Sequence, residues 1–222
     1  HMTALLYRWP VAAKFGRTVP KAKFYEHGTV PGAVRDKFVT EVQRITWAYK
    51  LAQSTINLPG NADVPEIQLF QIDTKGDDVG ESVLAAIDKA VKTPIIFEIV
   101  TGEGDEQRVR MAASHKQAGH ATPKLSAYYT TDWQPQDAER QPLPTAISLP
   151  SLYTALLAPL TPVSARPGEE LSDVAARLQA VRKLEREVAS LERKLRAEPQ
   201  LNRKVELRRA LKTKQAELKQ QR

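Results

Sequence analysis

The chain has 222 residues, of which 41% are apolar and 27% are charged, a composition typical of a globular protein with one domain and an appendage. It contains no cysteine, which excludes disulfides, cysteine-bound metals and thiol nucleophiles and suits a reducing compartment. No apolar run reaches the roughly 18 residues that a membrane span requires. We therefore expect a cytoplasmic protein that does not enter a membrane.

The net charge of +7 is distributed unevenly along the chain. Residues 168–222 carry 15 Lys and Arg against 9 Asp and Glu, whereas residues 1–167 carry 18 against 17. The last quarter of the chain therefore holds nearly all of the excess positive charge, and any acidic partner is expected there.

The first periodic segment runs from Pro31 to Gln53. Apolar residues such as Phe38, Val42 and Ile45 recur at spacings of three and four, which predicts one amphipathic helix over the whole segment. The run from Glu66 to Thr74 is rich in residues that favour a strand.

A second helix is predicted from Asp78 to Lys92, with Asp78 as its N-cap. The segments Ile95–Thr101 and Arg108–Lys116 are separated by a turn-rich sequence and predict a β-hairpin, and another strand follows at Leu125–Thr131. These elements predict an α+β fold, a mixed, mostly antiparallel sheet with two packed helices, over residues 3–133.

The register of the hairpin can be predicted from its apolar residues. If Phe97 faces Met111 and Ile99 faces Val109 on the core side, then Glu98 faces Arg110 on the other side. An ion pair between strands is then the simplest explanation of a carboxylate within an apolar strand.

Residues 134–167 are rich in proline and predict a strap or linker, with a helix only near Leu152–Leu157. From residue 168 to 222 the chain is strongly helix-forming, and an apolar stripe runs from Leu171 to Leu195 at heptad-like spacing. Pro199 interrupts this helix, because proline fits the first turn of a helix but not its interior. After it, an apolar face continues at Leu201, Val205, Leu211 and Leu218. We expect a basic helical hairpin or coiled coil, with two antiparallel helices favoured over one rod.

Several sequence strings resemble the DUF4391 family. They include Ile45-Thr46-Trp47-Ala48-Tyr49-Lys50-Leu51, Tyr129-Thr130-Thr131-Asp132-Trp133 and Leu201-Asn202-Arg203-Lys204-Val205-Glu206-Leu207. The resemblance implies an accessory protein of unassigned function, encoded beside helicases and DNA methyltransferases in bacterial restriction-like or phage-defence clusters. It implies no catalytic residues.

Three residues of the first domain are candidate catalytic groups. Asp73 and Lys75 follow a strand with the acidic-x-Lys spacing of magnesium-dependent nucleases, although the same residues also fit an ordinary strand-to-helix turn. Glu98 is the third, either in the ion pair described above or in a phosphate site with Lys116 and the lysines at 21 and 50. His115 and His120 are poorly spaced for joint ligation, so we expect no metal and no cofactor.

The C-terminal helices hold the candidate nucleic-acid-binding residues. Six positive charges occur with a single acidic residue among them: Arg203, Lys204, Arg208, Arg209, Lys212 and Lys214. This density favours phosphate contacts without sequence specificity, or an acidic protein partner. The resemblance implies that such a partner is a helicase or methyltransferase. Two alternatives remain open: a coiled-coil scaffold or homodimer without a nucleic-acid role, and a magnesium-dependent nuclease. A membrane surface is disfavoured because the apolar face lacks aromatic residues.

Overall fold

The computed structural model describes residues 5–26, 29–117, 122–161, 166 and 169–222, with the backbone alone at Leu171. The chain divides into two units, His1–Leu160 and Thr161–Arg222. The α+β class is confirmed, and the helices of the second unit pack on each other. Within the described ranges, every helix is too short or too polar to cross a membrane.

The strands of the first unit form one main sheet and one small parallel pair. Their bounds are β1 Tyr7–Arg8, β2 Lys14–Val19, β3 Val42–Leu51, β4 Ile67–Thr74, β5 Ile95–Thr101, β6 Arg108–Gln117, β7 Lys124–Thr130, β8 Gln134–Pro135 and β9 Gln141–Pro142.

The helices alternate with the strands in the first unit and form all of the regular structure described in the second. Their bounds are α1 Gly32–Glu41, α2 Gln53–Ile56, α3 Glu81–Ala90, α4 Leu149–Leu157, α5 Leu171–Ala197 and α6 Leu201–Gln221.

The main sheet has the order β2-β3-β4-β5-β6-β7, with β8 pairing with β6 beyond this path. Only β4 and β5 run parallel, because α3 crosses between them; the other neighbours are antiparallel. The separate pair of β1 and β9 joins the N-terminal segment to the segment near residue 141.

Helices α1 and α3 cover one face of the sheet and form its main core. Phe38 of α1 and Ile87 of α3 are fully buried against strand residues such as Phe97. Burial of a large apolar side chain stabilises the fold by about 1.5–3 kcal/mol. The alternation along β5 assigns Ile95, Phe97 and Ile99 to this face.

The opposite face of the sheet is buried as well. Ile96, Glu98 and Val100 of β5 point away from the helices, and all three are at most 4% exposed. Trp9 and Arg140 bond to Glu98 there, so the N-terminal segment and the residues around β9 cover this face. Strand β5 is therefore buried on both sides.

The prediction of one helix from Pro31 to Gln53 is wrong in its second half. The helix ends at Glu41, and Val42–Leu51 is a strand rich in β-branched and aromatic residues. The same core contains Phe38 from the helix and Val42 and Ile45 from the strand. Their separations of four and three residues therefore imitate the spacing of one helix. Bulges in β3 also hide its period of two.

The predicted register of the hairpin β5–β6 is wrong by one residue. Glu98 lies opposite Met111, and Arg110 lies opposite Ile99, so Glu98 and Arg110 point to different faces. The apolar alternation could not choose between the two registers, because both faces of β5 are buried. Arg110 instead pairs with Asp78 at 2.9 Å.

Candidate nucleic-acid interface

The second unit is a helical hairpin. Helices α5 and α6 are separated by Glu198, Pro199 and Gln200, and Pro199 stands just before the new helix. Lys214 of α6 bonds Glu187 of α5 at 3.0 Å, and Arg222 bonds Glu185 at 2.9 Å, so the two helices run antiparallel. The prediction of two packed helices is confirmed.

Helix α6 has an inner and an outer surface. Leu211 is half-buried and Leu218 is buried, whereas Leu201 is 72% exposed and Val205 is 45% exposed. The four residues were predicted to share one apolar face. At about 100° per residue, however, Leu201 and Val205 are rotated by about 80–140° around the helix from Leu211 and Leu218, which turns them toward the outer surface.

The structure separates the six predicted phosphate-binding residues into two groups. Arg203 is paired with Glu198 at 3.5 Å, and Lys214 is paired with Glu187, which raises the pKa of the Lys214 ammonium. The other four have no ion pair with any residue that the structure describes: Lys204, Arg208, Arg209 and Lys212. Arg208, Arg209 and Lys212 are exposed, and Lys204 is half-buried.

The last turns of α5 add cations that the sequence analysis did not select. Arg193, Lys194 and Arg196 are exposed at the end of α5 that leads into the hairpin turn. Segment 190–212 holds eight Lys or Arg against three Glu. We call this segment the basic tip. The signal in the sequence is the charge count, which is strongly positive over residues 203–214 and remains so over residues 190–212.

The opposite end of the hairpin is closed by polar contacts. Arg177 donates two hydrogen bonds to the Glu169 carboxylate, at 3.0 and 2.9 Å, and one to the carbonyl of Gln221 at 2.8 Å. Arg166 also donates to the carbonyl of Gln220. The hydrogen bonds from Arg177 and from the backbone of Arg166 lower the pKa of Glu169 from 4.5 to about 2.

We expect the Glu169 carboxyl to titrate near pH 2 in the parent protein and nearer 4.5 in Arg177→Gln. A lowered folded-state pKa means that the contact stabilises the hairpin above about pH 4.5 and is lost as the pH falls toward 2. Side-chain carboxyl NMR measures both titrations. Arg182→Gln, which removes a cation without a described ion pair, should leave Glu169 unchanged. A Glu169 pKa near 4.5 in the parent protein would contradict the prediction.

Asp73 and Lys75 are not brought together as a site. Asp73 lies on the face away from the helices and has Arg44 at 3.4 Å and Gln71 at 3.2 Å. The Lys75 ammonium donates to the carbonyl of Val39 at 2.6 Å, at the C-terminal end of α1. A cation at a helix C-terminus is a stabilising helix cap.

Glu98 is held in a buried ion pair. Arg140 donates two hydrogen bonds of 2.9 Å, one to each carboxylate oxygen, and Trp9 donates its indole N–H to Oε2. Arg140 also donates to the carbonyl of Tyr7 at 2.8 Å. The bidentate hydrogen bond to Glu98 is the main cause of the raised pKa of Arg140. Glu98 therefore joins the sheet to the segments that cover it.

A second buried ion pair was not predicted. The Lys116 ammonium lies 2.9 Å from Asp88 Oδ1, and these side chains are 1% and 0% exposed. Tyr128 donates its hydroxyl to Asp88, and Lys116 donates to the carbonyls of Val91 and Thr93 after α3. Burial raises the pKa of Asp88 and lowers the pKa of Lys116. The sequence predicts only that Asp88 lies in a helix, and no local pattern connects it with Lys116 on a distant strand.

Four groups named as a possible phosphate site do not converge. Lys116 points to the helix-covered side and Glu98 to the other face. Lys21 donates to the carbonyl of Val42 at 2.9 Å, and burial, together with the nearby Lys75, lowers its pKa. Lys50 is paired with Glu66 at 3.4 Å.

No group of three or more His, Cys, Asp or Glu side chains is placed to hold a metal ion within the described part of the chain. His115 is half-buried, its ring centroid lies 6.2 Å from that of Tyr153, and burial lowers its pKa. His120 lies outside the described residues.

The fold and the basic tip define an α+β protein with a basic helical hairpin. The family model with the description "Domain of unknown function (DUF4391)" matches residues 8–218, nearly the whole chain, so the chain belongs to this family. The resemblance seen in the sequence is thereby confirmed. Comparisons with curated proteins and with solved structures found no match.

Proposed function

We propose that this chain is a cytoplasmic, non-catalytic accessory subunit of a bacterial DNA-processing or phage-defence assembly, and that it binds DNA through the basic tip. The observation that carries the proposal is a group of four cations on α6 that form no ion pair with any described residue: Lys204, Arg208, Arg209 and Lys212. The resemblance to the DUF4391 family supports the setting, beside a helicase or methyltransferase.

The basic tip has the properties of a surface that contacts phosphates. Eight cations against three acids exceed what solubility requires, and their long side chains, exposed at all positions but the half-buried Lys204, can reach phosphates. The acids of the hairpin are concentrated elsewhere: Glu185 and Glu187 are paired with Arg222 and Lys214, away from the turn. Although Glu198 pairs with Arg203 inside the tip, eight cations less three acids leave the tip a net charge of +5.

The proposed contact carries no sequence information. Arg208, Arg209 and Lys212 spread over the outer surface of one helix, next to the exposed Leu201 and Val205. Bidentate base recognition requires Arg, Asn or Gln side chains fixed by neighbours, and these cations have no such fixing partner among the described residues. We therefore expect similar affinity for all duplex sequences.

The affinity for a duplex should depend steeply on salt. Four phosphate contacts give a slope of log affinity against log salt of about −4. The variant Lys204→Gln, Arg208→Gln, Arg209→Gln, Lys212→Gln should flatten the slope and weaken binding at 50 mM salt by on the order of 100-fold or more, with the residual slope due to the remaining cations of the tip. Fluorescence anisotropy with a labelled duplex measures both quantities, and circular dichroism verifies that the hairpin is retained.

A control with the same net charge separates local contacts from overall electrostatics. Four exposed cations of the first unit can be replaced by glutamine together: Lys37, Lys89, Arg108 and Lys124. This control should keep most of the affinity. Equal losses in both variants, or unchanged binding in the tip variant, would show that the tip is not the DNA contact.

Two further results would contradict the proposal. Plasmid cleavage in magnesium or manganese that Asp73→Ala abolishes would make the protein a nuclease. A homodimer by light scattering that shifts no DNA at low salt would make the hairpin a scaffold.

A further inference from the structure

A cavity of about 410 Å³ opens at the β2 edge of the sheet, within the first unit. Four aromatic rings and two cations line it: Phe15, Phe24, Trp47, Phe70, Arg17 and Lys23. A cavity of this size can hold a ligand about as large as a nucleotide.

The aromatic rings are arranged in a chain that leads from the core to the surface. Phe70 is buried, its ring centroid lies 5.8 Å from that of Trp47, and the Trp47 ring is 4.3 Å from Phe15. Trp47 and Phe15 remain half-exposed. The indole N–H of Trp47 donates to Gln68 Oε1 at 2.9 Å, which fixes the orientation of the ring. Half-exposed, oriented aromatic rings are typical stacking surfaces for nucleobases.

A bulge in β2 directs the cation toward the same side as the rings. The pairing with β3 shifts between Lys14 and Arg17, where Gly16 has a φ of 67°. Arg17 then lies opposite Trp47, with its guanidinium 4.6 Å from the centre of the Phe15 ring. A residue with a Cβ would be strained at Gly16, so the glycine allows this arrangement.

The charged residues that line the cavity are both cations, Arg17 and Lys23. The segment from Lys14 to Lys23 contains four cations and no acid. Lys21 is turned onto the C-terminal end of α1, but Arg17 and Lys23 are exposed and have no ion pair among the described residues. A ligand that fits must therefore be flat and apolar at one end and anionic at the other.

We infer that this cavity binds a nucleoside phosphate, with the base against Trp47 and Phe15 and the phosphate at Arg17 and Lys23. The ligand could be a free nucleotide or one unpaired nucleotide of a single strand, since both present this chemistry. The site does not depend on the basic tip, and its ligand differs from the duplex proposed there.

The test measures binding of AMP and of a fluorescein-labelled (dT)10 oligonucleotide to the full chain. AMP is followed by quenching of tryptophan fluorescence, and the oligonucleotide by anisotropy in the background of the tip variant, so that tip contacts do not contribute. Arg17→Gln with Lys23→Gln, and separately Phe15→Leu, should each weaken binding about tenfold or more. Arg108→Gln with Lys124→Gln, at the other side of the sheet, removes two exposed charges and should have no effect.

Comparing the two ligands shows whether the cavity binds a free nucleotide or a nucleotide of a single strand. Binding of AMP supports a free nucleotide, and binding of (dT)10 without AMP supports a single strand. The inference is overturned if neither binds at 10 mM AMP or 100 μM (dT)10, or if Arg17→Gln with Lys23→Gln binds like the parent protein. Loss of duplex affinity in the tip variant is a separate measurement, so either proposal can fail alone.

Discussion

Replacing Lys116 by methionine should lower the free energy of unfolding by about 3–5 kcal/mol, because it leaves the Asp88 carboxylate buried without its cation. Both side chains are at most 1% exposed, and the carbonyls of Val91 and Thr93, just after α3, also lose their donor. Asp88→Asn should cost a similar amount, since it leaves a lone buried ammonium. Urea denaturation at pH 7 measures both losses.

The pH dependence distinguishes a charge effect from lost packing. Burial raises the pKa of Asp88, so in Lys116→Met the lone carboxyl takes up a proton on acidification, and the loss of stability should be smaller at pH 5 than at pH 8. Burial lowers the pKa of Lys116, so in Asp88→Asn the lone ammonium releases its proton at higher pH, and the loss should be smaller at pH 9 than at pH 6.

The double variant provides the control for coupling. Asp88→Asn with Lys116→Met should cost clearly less than the sum of the single variants, because neither charge is left unpaired. Lys124→Met, at an exposed position, should change stability by less than about 0.5 kcal/mol. Additive losses, or pH slopes of the same sign in the two single variants, would show that Asp88 and Lys116 do not act as an ion pair.

Replacing Glu98 by glutamine should lower the free energy of unfolding by about 2–3 kcal/mol, although the side chain keeps its size. The amide keeps only one acceptor oxygen, so Arg140 loses its anionic partner and one of its two hydrogen bonds, and the contact that holds the segment around β9 is weakened. Hydrogen exchange should accelerate at residues 5–9, since Arg140 and Trp9 both connect this segment to Glu98.

Asp73→Asn is the matched control for Glu98→Gln. Asp73 lies on the same face of the sheet, on the neighbouring strand, but its partner Arg44 is largely exposed and 3.4 Å away. A pair of this kind contributes about 0–1 kcal/mol. Equal losses in the two variants would contradict an anchoring role for Glu98. Arg140→Lys should also lower the free energy of unfolding, although it keeps the positive charge, because an ammonium cannot form the bidentate contact with Glu98.

Local sequence was sufficient where one pattern excluded the others. β4 and β5 begin and end within one residue of the predicted segments, because turn residues or proline bound each apolar run. The C-terminal hairpin was predictable because Pro199 cannot continue a helix whose apolar stripe resumes after it. The concentration of positive charge near the hairpin turn was also visible in the sequence, because charge is a property of composition and needs no tertiary contact.

The tertiary structure decided which partner each polar side chain has. Glu98 pairs with Arg140 and not with the predicted Arg110. Alternation alone could not predict this register, because both faces of β5 are buried. Asp88 meets Lys116 only because α3 packs over the strand that carries the lysine. The aromatic cavity likewise forms only when β2 pairs with β3. Strand β3 was not predicted, because apolar residues of α1 and β3 together have the spacing of one helix. Long-range pairing depends on packing of the whole sheet, which local periodicity does not contain.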